Sequence, residues 1–576
     1  MCLPRCIIVI SSFLVSGLLQ MQASETYRRL YEIAGVSVSS PYELFRRGKS
    51  KKRTRPVLES MSGEYQFPAI HRYVKKLGDG LTKLKLHGPF SAGDGREWRM
   101  IGILSEISYE SSLVELAASR QNITLAQIPD MAEKAVVDKV IRTTGVKTVV
   151  VSQRNLETLT SVILEQSNSV ENIVVIGSKE KRRSVSNCKI WMLDEIIAEG
   201  NSQGKKISVG QKSDVNSIVF TGAGLSGTLE GAVITNGNIL SSIEGLINSD
   251  LGLSKTDIYS VALPRSARWP FVNLFERHIV LALLFLGART VFNTGAEGLS
   301  RATVIAGDNR FYNSIKENLT NPPRNLRLII SLNGQLPFTP SSAVKVVQGY
   351  GMVESTGLFY LDKSPMRNVD ITLFDPPNIY ESLGRSAGQI CIAGPNIIKS
   401  YFGNPSLYSK SFDDGRGCLK TGYVGNVGVT QGEQKGFPRF EFFGRVSRLN
   451  SKNQLVITDS IENTFRKIKG VENAFVQVVE DQVIALVQIR PDLAARYADK
   501  YKDKVVNDLM INQDEFGATR RIRKRYQSLS DDIPHIVLTL HPLERFVTRS
   551  SLKWYFELIY SRVHQPSGSV IQPRVF

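Results

Sequence analysis

The chain has 576 residues, 42% of them hydrophobic, enough to bury a large core in more than one domain and to exclude wholesale disorder. Its 72 basic against 54 acidic residues give a formal charge of +18, which favours polyanions, acidic lipid surfaces or phosphorylated substrates, yet no nucleic-acid fold signature accompanies it. Five cysteines with no close metal-ligand pair after the N-terminal Cys2 and Cys6, and six histidines apart from them, argue against a metal cluster and against a disulfide framework.

Residues 1–23 carry Arg5, an apolar run over 7–19 broken by serines, and then Met21-Gln22-Ala23. That pattern is a short signal peptide or signal anchor, too brief for a full membrane span, and it addresses the chain to the endoplasmic reticulum or another internal membrane. The scarcity of cysteine pairs points to a reducing compartment, so the expected topology is an N-terminal tether with the folded body in the cytosol. Two N-glycosylation sequons, Asn122-Ile123-Thr124 and Asn318-Leu319-Thr320, fit a lumenal body instead, although such triplets also arise by chance. The basic runs at 46–55 and 520–525 read first as solvated or disordered faces, with the 46–55 run able to lie on anionic lipid beside the tether, and no nucleic-acid partner is expected.

Beyond the first basic run, Ile70, Tyr73, Val74, Leu77 and Leu81 share one face of a predicted helix. Residues 100–104 read as a buried strand followed by a helix over 110–120. Another helix ends at 136–141, and 147–152 and 172–177 repeat the strand pattern. Strands alternating with helices predict an α/β fold with a parallel, covered sheet. Further strands are expected at 327–331 and 388–393. After residue 444 the pattern changes to paired strands at 475–479 and 483–489 and a helix at 553–563, a small α+β module.

Residues 220–238 place Gly222, Gly224 and Gly227 with the hydroxyls of Thr221, Ser226 and Thr228 between two β-branched runs. Glycines let the backbone approach an anion, and hydroxyl and main-chain N–H donors can then hold phosphate. Gly222-x-Gly224-x-x-Gly227 matches the dinucleotide fingerprint, but 232–235 reads as a second strand where a helix should begin. Gly222-x-x-x-x-Gly227 also begins a Walker loop, but Thr228 stands in place of its lysine. A strand, a glycine and hydroxyl loop, a strand, and then a helix from about Asn238 resembles the arrangement of adenylate-forming ligases; a plain turn is the remaining reading.

Taken in order, these landmarks resemble the long-chain acyl-CoA synthetases of the adenylate-forming, AMP-binding superfamily over residues 41–561. Tyr42-Glu43-Leu44-Phe45 resembles the family's opening motif, and Leu263-Pro264 with Phe275-Glu276-Arg277 resembles its Leu-Pro-Leu-Ala-His-Ile-Phe-Glu-Arg with an insertion. Leu326-Arg327, Ser331 and Gly334 are similar to its Ser-Gly-Gly-Ala-Pro-Leu strand. Gln348-Gly349-Tyr350-Gly351-Met352-Val353-Glu354 is the strongest match, to Gln-Gly-Tyr-Gly-x-Thr-Glu. Residues 388–396, Leu419-Lys420-Thr421-Gly422, Gly444-Arg445 and Ile461-Glu462-Asn463 follow at family-like spacing.

The resemblance implies an adenylate-forming ligase architecture: an AMP-binding N-terminal domain over 24–443 and a small mobile C-terminal domain over 444–576. It implies a fatty acid and CoA as substrates, with ATP and Mg²⁺. The carboxylate attacks the α-phosphate and expels pyrophosphate, and the CoA thiol then attacks the acyl-adenylate carbonyl. It further implies that Thr221, Gly222, Gly224, Ser226 and Gly227 surround the phosphates and that Gln348, Gly349, Tyr350 and Gly351 line the nucleotide, with Tyr350 against adenine. Glu354 would hold Mg²⁺, Arg445 at the hinge would reach ribose or phosphate, and Lys553 would be the mobile catalytic lysine.

Four departures fall on residues that the resemblance brings to ATP. Glu230 reverses the charge of the loop lysine, and Val353 lacks the hydroxyl that precedes the metal-holding glutamate. Tyr423 replaces the aspartate that accepts the ribose hydroxyls, which a phenol cannot do as a bidentate anion. Lys553 aligns only with one inserted residue, whereas an ungapped match puts Phe546 there. Loss of one preorganised donor typically costs ~2.7–4 kcal/mol of transition-state stabilisation. The expected function is therefore a weakened fatty-acid–CoA ligase or a catalytically silent acyl- or nucleotide-binding protein of the same fold.

Overall fold

Long β-branched and aliphatic runs build two large sheets, and the helices between them carry apolar residues on the faces that meet. The computed structural model describes residues 32–539 with interruptions, the longest at 178–184, 222–228, 262–269, 337–343, 375–386, 429–438, 490–507 and 512–534. The first sheet is ordered Lys189–Met192, Asn172–Ile176, Thr148–Ser152, Met100–Leu104, Thr124–Ile128, Val215–Thr221, Glu230–Thr235. All its neighbours are parallel except the last two strands, which form an antiparallel hairpin. Met100–Leu104 and Thr148–Ser152 are buried at every position, as strands covered on both faces must be.

The second sheet has nine strands. Lys345–Met352, Leu328–Leu332, Val304–Gly307, Ile258–Val261, Arg289–Phe292 and Leu58–Ser60 run parallel through its middle, and antiparallel strands close both edges. One hydrophobic core joins Ile103 and Val219 of the first sheet to Val261 and Ile330 of the second through the helices Phe67–Lys83, Tyr109–Gln121, Asn236–Ile247 and Pro270–Leu286. Pro270–Leu286 is buried at every position but Arg277 and Leu281, the signature of a helix enclosed in a core. Among the described residues no helix is long and apolar enough to cross a membrane. A second core covers the other face of the first sheet with Val137, Ile141 and Leu159.

The sequence-based elements fall where the periodicity puts them, with the helix expected to end at 136–141 extending over Lys134–Thr144 and the one expected near Asn238 starting at Asn236. In the C-terminal part, Val471–Val479 pairs antiparallel with Gln482–Ile489 in a four-stranded sheet completed by Asp508–Ile511 and His535–Thr539. The strand Arg439–Leu449 runs across residue 444. It pairs with Cys418–Gly428 as far as Tyr423 opposite Arg445, then changes partner, with Val446 opposite Ile457. The expected final helix and the 520–525 run lie outside the described residues.

The cysteine reading needs correction. Cys391 and Cys418 form a disulfide between neighbouring antiparallel strands, with Cα atoms 5.6 Å apart. Their 27-residue separation hides the pair in the sequence, and only the pairing of Ala387–Ala393 with Cys418–Gly428 brings the sulfurs together. Cys188 is buried and free.

Candidate functional site

The loop suspected of holding phosphate connects the two hairpin strands at the edge of the first sheet. Gly222, Gly224, Ser226 and Gly227 lie outside the described residues. Its stem is described: Thr221, buried, ends one strand and pairs with Glu230, which begins the next. Strand, loop, strand and helix thus follow in the expected order. Thr235 caps the helix Asn236–Ile247, its hydroxyl accepting the Asn238 N–H at 3.2 Å while Asn238 Oδ1 accepts the Thr235 N–H at 2.9 Å. Glu230 therefore sits at the foot of the hairpin.

Gln348, Gly349, Tyr350 and Gly351 occupy the end of the strand Lys345–Met352, with Tyr350 half-buried and its ring centroid 6.4 Å from that of Tyr360 on the neighbouring strand. The glycines are required by packing. A Cβ on Gly351 would come within 2.5 Å of the Phe271 ring and 2.4 Å of the Gly357 carbonyl, and one on Gly349 would meet Leu358 at 2.9 Å. Asn333, which sequence reasoning missed, pins this strand end: its side chain accepts the Gly351 N–H at 2.9 Å and donates to the Gly351 carbonyl at 3.0 Å.

The strand then turns sharply at 353–356. Thr356 adopts φ +49°, a left-handed conformation uncommon away from glycine, and its hydroxyl is buried without a hydrogen-bond partner. Glu354 is 2% exposed at the turn, its Oε1 accepting a hydrogen bond from the Tyr401 hydroxyl at 3.1 Å. Burial raises the Glu354 carboxyl above its ordinary range, against the opposing effects of its backbone hydrogen bond and of Tyr401. The Tyr401 phenol is itself pushed up by burial and by the carboxylates of Glu354 and Glu230, so it stays a donor.

Tyr401 belongs to a strap that ties the parts together. Asn238 Nδ2 donates to the carbonyls of Pro395 and Ile397 at 2.8 and 3.1 Å, and Asn396 Nδ2 donates to the Ser355 carbonyl at 2.9 Å. The Ile398 N–H meets the Glu354 carbonyl at 2.9 Å, the Phe402 N–H meets the Gly231 carbonyl at 2.7 Å, and the Val233 N–H meets the Ser400 carbonyl at 3.1 Å. The Gly394-Pro395-Asn396 landmark marked the strap's start; nothing in the pattern marked Tyr401.

Tyr423 is 7% exposed and belongs to the main core, its ring edge-on to Phe359 with centroids 6.3 Å apart. Its N–H donates to the Thr421 hydroxyl, which in turn donates to the Ile390 carbonyl at 2.8 Å. Val353 is also buried in that core. Arg445 lies opposite Tyr423 in the strand register, and Lys553 lies outside the described residues.

The Phe275-Glu276-Arg277 motif points into the interior. Arg277 pairs with Glu115, and burial pushes it down to about 10. Burial, followed by the Arg277 charge, pushes neighbouring His278 down to about 3, keeping it neutral. Both line a cavity with Leu116, Leu125 and Leu281.

Tyr350 keeps an aromatic face beside the strand end, which fits an adenine. A resident Mg²⁺ fits less well: Glu354 is desolvated, tends toward its neutral form and is already hydrogen-bonded, and among the described residues no group of three acidic, histidine or cysteine side chains could hold a metal. Tyr423, expected from the resemblance to stand where the ribose is held, is a packed ring here.

Residues 46–402 match the model of a family described as AMP-binding enzyme. The chain is 24% identical over 421 residues to Long chain acyl-CoA synthetase 6, peroxisomal, of Arabidopsis thaliana, spanning 59% of this chain and 58% of that relative. It is 22% identical to Long chain acyl-CoA synthetase 3 of the same plant over 80% of this chain and 81% of the relative. The A-PCP didomain of a carboxylic acid reductase from Segniliparus rugosus, solved with AMP, superposes with a TM-score of 0.70 over 93% of this chain and 84% of that structure at 16% identity, a likeness of fold.

Proposed function

Because the chain belongs to the AMP-binding enzyme family, we propose that it is a long-chain fatty-acid–CoA ligase-like protein whose ATP-dependent activation is held far below that of an intact site. The observation that carries this reading is the state of Glu354. A carboxylate that is to hold a divalent cation must be ionised and open on one side, whereas this one is buried, shifted toward its neutral form and hydrogen-bonded to Tyr401. Tyr423 compounds the defect, since a phenol whose ring packs on Phe359 offers no bidentate anionic acceptor for a pair of sugar hydroxyls.

What these residues can do is bind and position. Tyr350 offers a stacking face, the strap 395–402 fixes the Glu354 turn against the hairpin, and the handover of strand pairing at Arg445 and Val446 is the place where the C-terminal module would pivot. ATP, when bound, would supply the activating group; the described residues do not form a complete set for its ribose and metal ends. A silent acyl- or nucleotide-binding protein of the same fold is the second reading, favoured by the packing of Tyr423. Residues 1–23 serve in this proposal as a membrane tether, and their deletion should move the protein to the soluble fraction.

The test is acyl-CoA formation from ATP, CoA and mixed long-chain fatty acids beside equilibrium binding of labelled palmitate. Slow turnover with binding supports the ligase reading, and binding without turnover supports the silent one. Turnover at rates normal for a fatty-acid–CoA ligase, or failure to bind palmitate, would refute the proposal.

A further inference from the structure

Two features remain outside the site: the sequon Asn122-Ile123-Thr124 and the Cys391–Cys418 disulfide. Asn122 closes the helix Tyr109–Gln121 in the left-handed conformation, with φ 53°, and its side chain is half-exposed. It opens onto a surface cleft of about 330 Å³ lined by Pro89, Glu97, Trp98, Arg99 and Asp214. The cleft is roomy enough for a pyranose ring, with exposed charged side chains at Glu97 and Arg99 for its hydroxyls, while Trp98 in its lining is itself buried and edge-on to Phe402.

Thr124 explains when such a sequon could be used. In the fold its hydroxyl is buried and donates to the Val215 carbonyl at 3.0 Å, so the hydroxyl is inaccessible to an enzyme acting on the finished protein. Modification would have to precede docking of the strand Thr124–Ile128 onto Val215–Thr221, as happens when a nascent chain is glycosylated during translocation. The disulfide points independently to the same place. Cys391 and Cys418 are both buried on paired strands, and disulfides persist chiefly in oxidising compartments. The pair removes the ground on which a reducing compartment was expected.

We propose that the body of this protein folds in the lumen of the secretory pathway and carries an N-linked glycan on Asn122, the first sugar of which occupies the cleft beside Trp98. In that step the Asn122 amide nitrogen bonds to the anomeric carbon of a lipid-pyrophosphate-linked oligosaccharide. The carbon–oxygen bond to the pyrophosphate breaks with its electron pair, and an amide proton is released. The Cys391 and Cys418 thiols surrender their protons and an electron pair to a disulfide-bearing oxidoreductase, which is reduced to its dithiol.

The test uses the full chain expressed in a eukaryotic host, recovered from sealed microsomes with free thiols alkylated before digestion. Peptide N-glycosidase should shift the wild-type band by one glycan or more and convert Asn122 to aspartate in the peptide map; Asn122→Gln should lose the Asn122 share of that shift, while Thr124→Ser, which keeps the sequon, retains it. Without reduction, the peptides bearing Cys391 and Cys418 should run as one linked species, protected from external protease. Unmodified Asn122 in the wild-type map overturns the glycan assignment, including the case in which Asn318 alone is modified. Alkylated Cys391 and Cys418 together with protease access in intact microsomes overturn the lumenal placement.

Discussion

Replacing Tyr423 with aspartate restores the residue type that an adenylate site places at the ribose, and the structure sets what that change costs. The ring is 7% exposed and packs against Phe359 within the main core. Removing a large buried aromatic side chain typically costs about 3–5 kcal/mol, and an aspartate in its place adds a carboxylate to an apolar surround. With a urea dependence of ~3 kcal/mol per molar, the unfolding midpoint of Tyr423→Asp should drop by roughly 1–2 M, while Tyr423→Phe, which conserves volume, stays within ~0.5 M. Equilibrium urea unfolding by intrinsic fluorescence reads both. A Tyr423→Asp protein whose midpoint matches wild type would refute the core assignment.

Glu244, 2% exposed on the helix after the hairpin, is pushed up to about 7 by burial, partly opposed by Arg367. Its folded value lies above the unfolded 4.5, so its contribution is complete below about pH 4.5 and is lost as the pH rises through about 7. At 1.36 kcal/mol per unit that is at most about 3 kcal/mol, and Glu244→Gln should flatten the fall in stability between pH 5 and 8; an unchanged slope in the variant would contradict the assignment. Gly351→Ala should destabilise by about 1–3 kcal/mol, because the added Cβ meets Phe271 and the Gly357 carbonyl. A neutral result in thermal unfolding would show that the strand end can shift.

Much of the scaffold was legible because buried parallel strands announce themselves locally: 100–104, 147–152 and 172–177 need no partner to be recognised. The hairpin and helix after Thr221 were legible for the same reason. What local pattern cannot carry is contact between distant segments. Tyr401 reaches Glu354 across 47 residues, Asn238 reaches Ile397 across 159, and Cys391 meets Cys418 only once their strands pair. Tyr423 stood out in the sequence as a missing carboxylate, but whether it faced solvent or core depended on Phe359, 64 residues earlier. The role of Gly351 was ambiguous between ligand approach and packing until Phe271 was seen against it.

The central claim is that the adenylate-forming centre is disabled by Glu230, Tyr423 and the engaged Glu354. Fatty-acid-dependent exchange of pyrophosphate into ATP measures that half-reaction without requiring CoA. The wild-type protein should exchange at or near background, and Glu230→Lys combined with Tyr423→Asp, once shown by circular dichroism to be folded, should exchange measurably faster. Robust exchange by the wild-type protein would contradict the account.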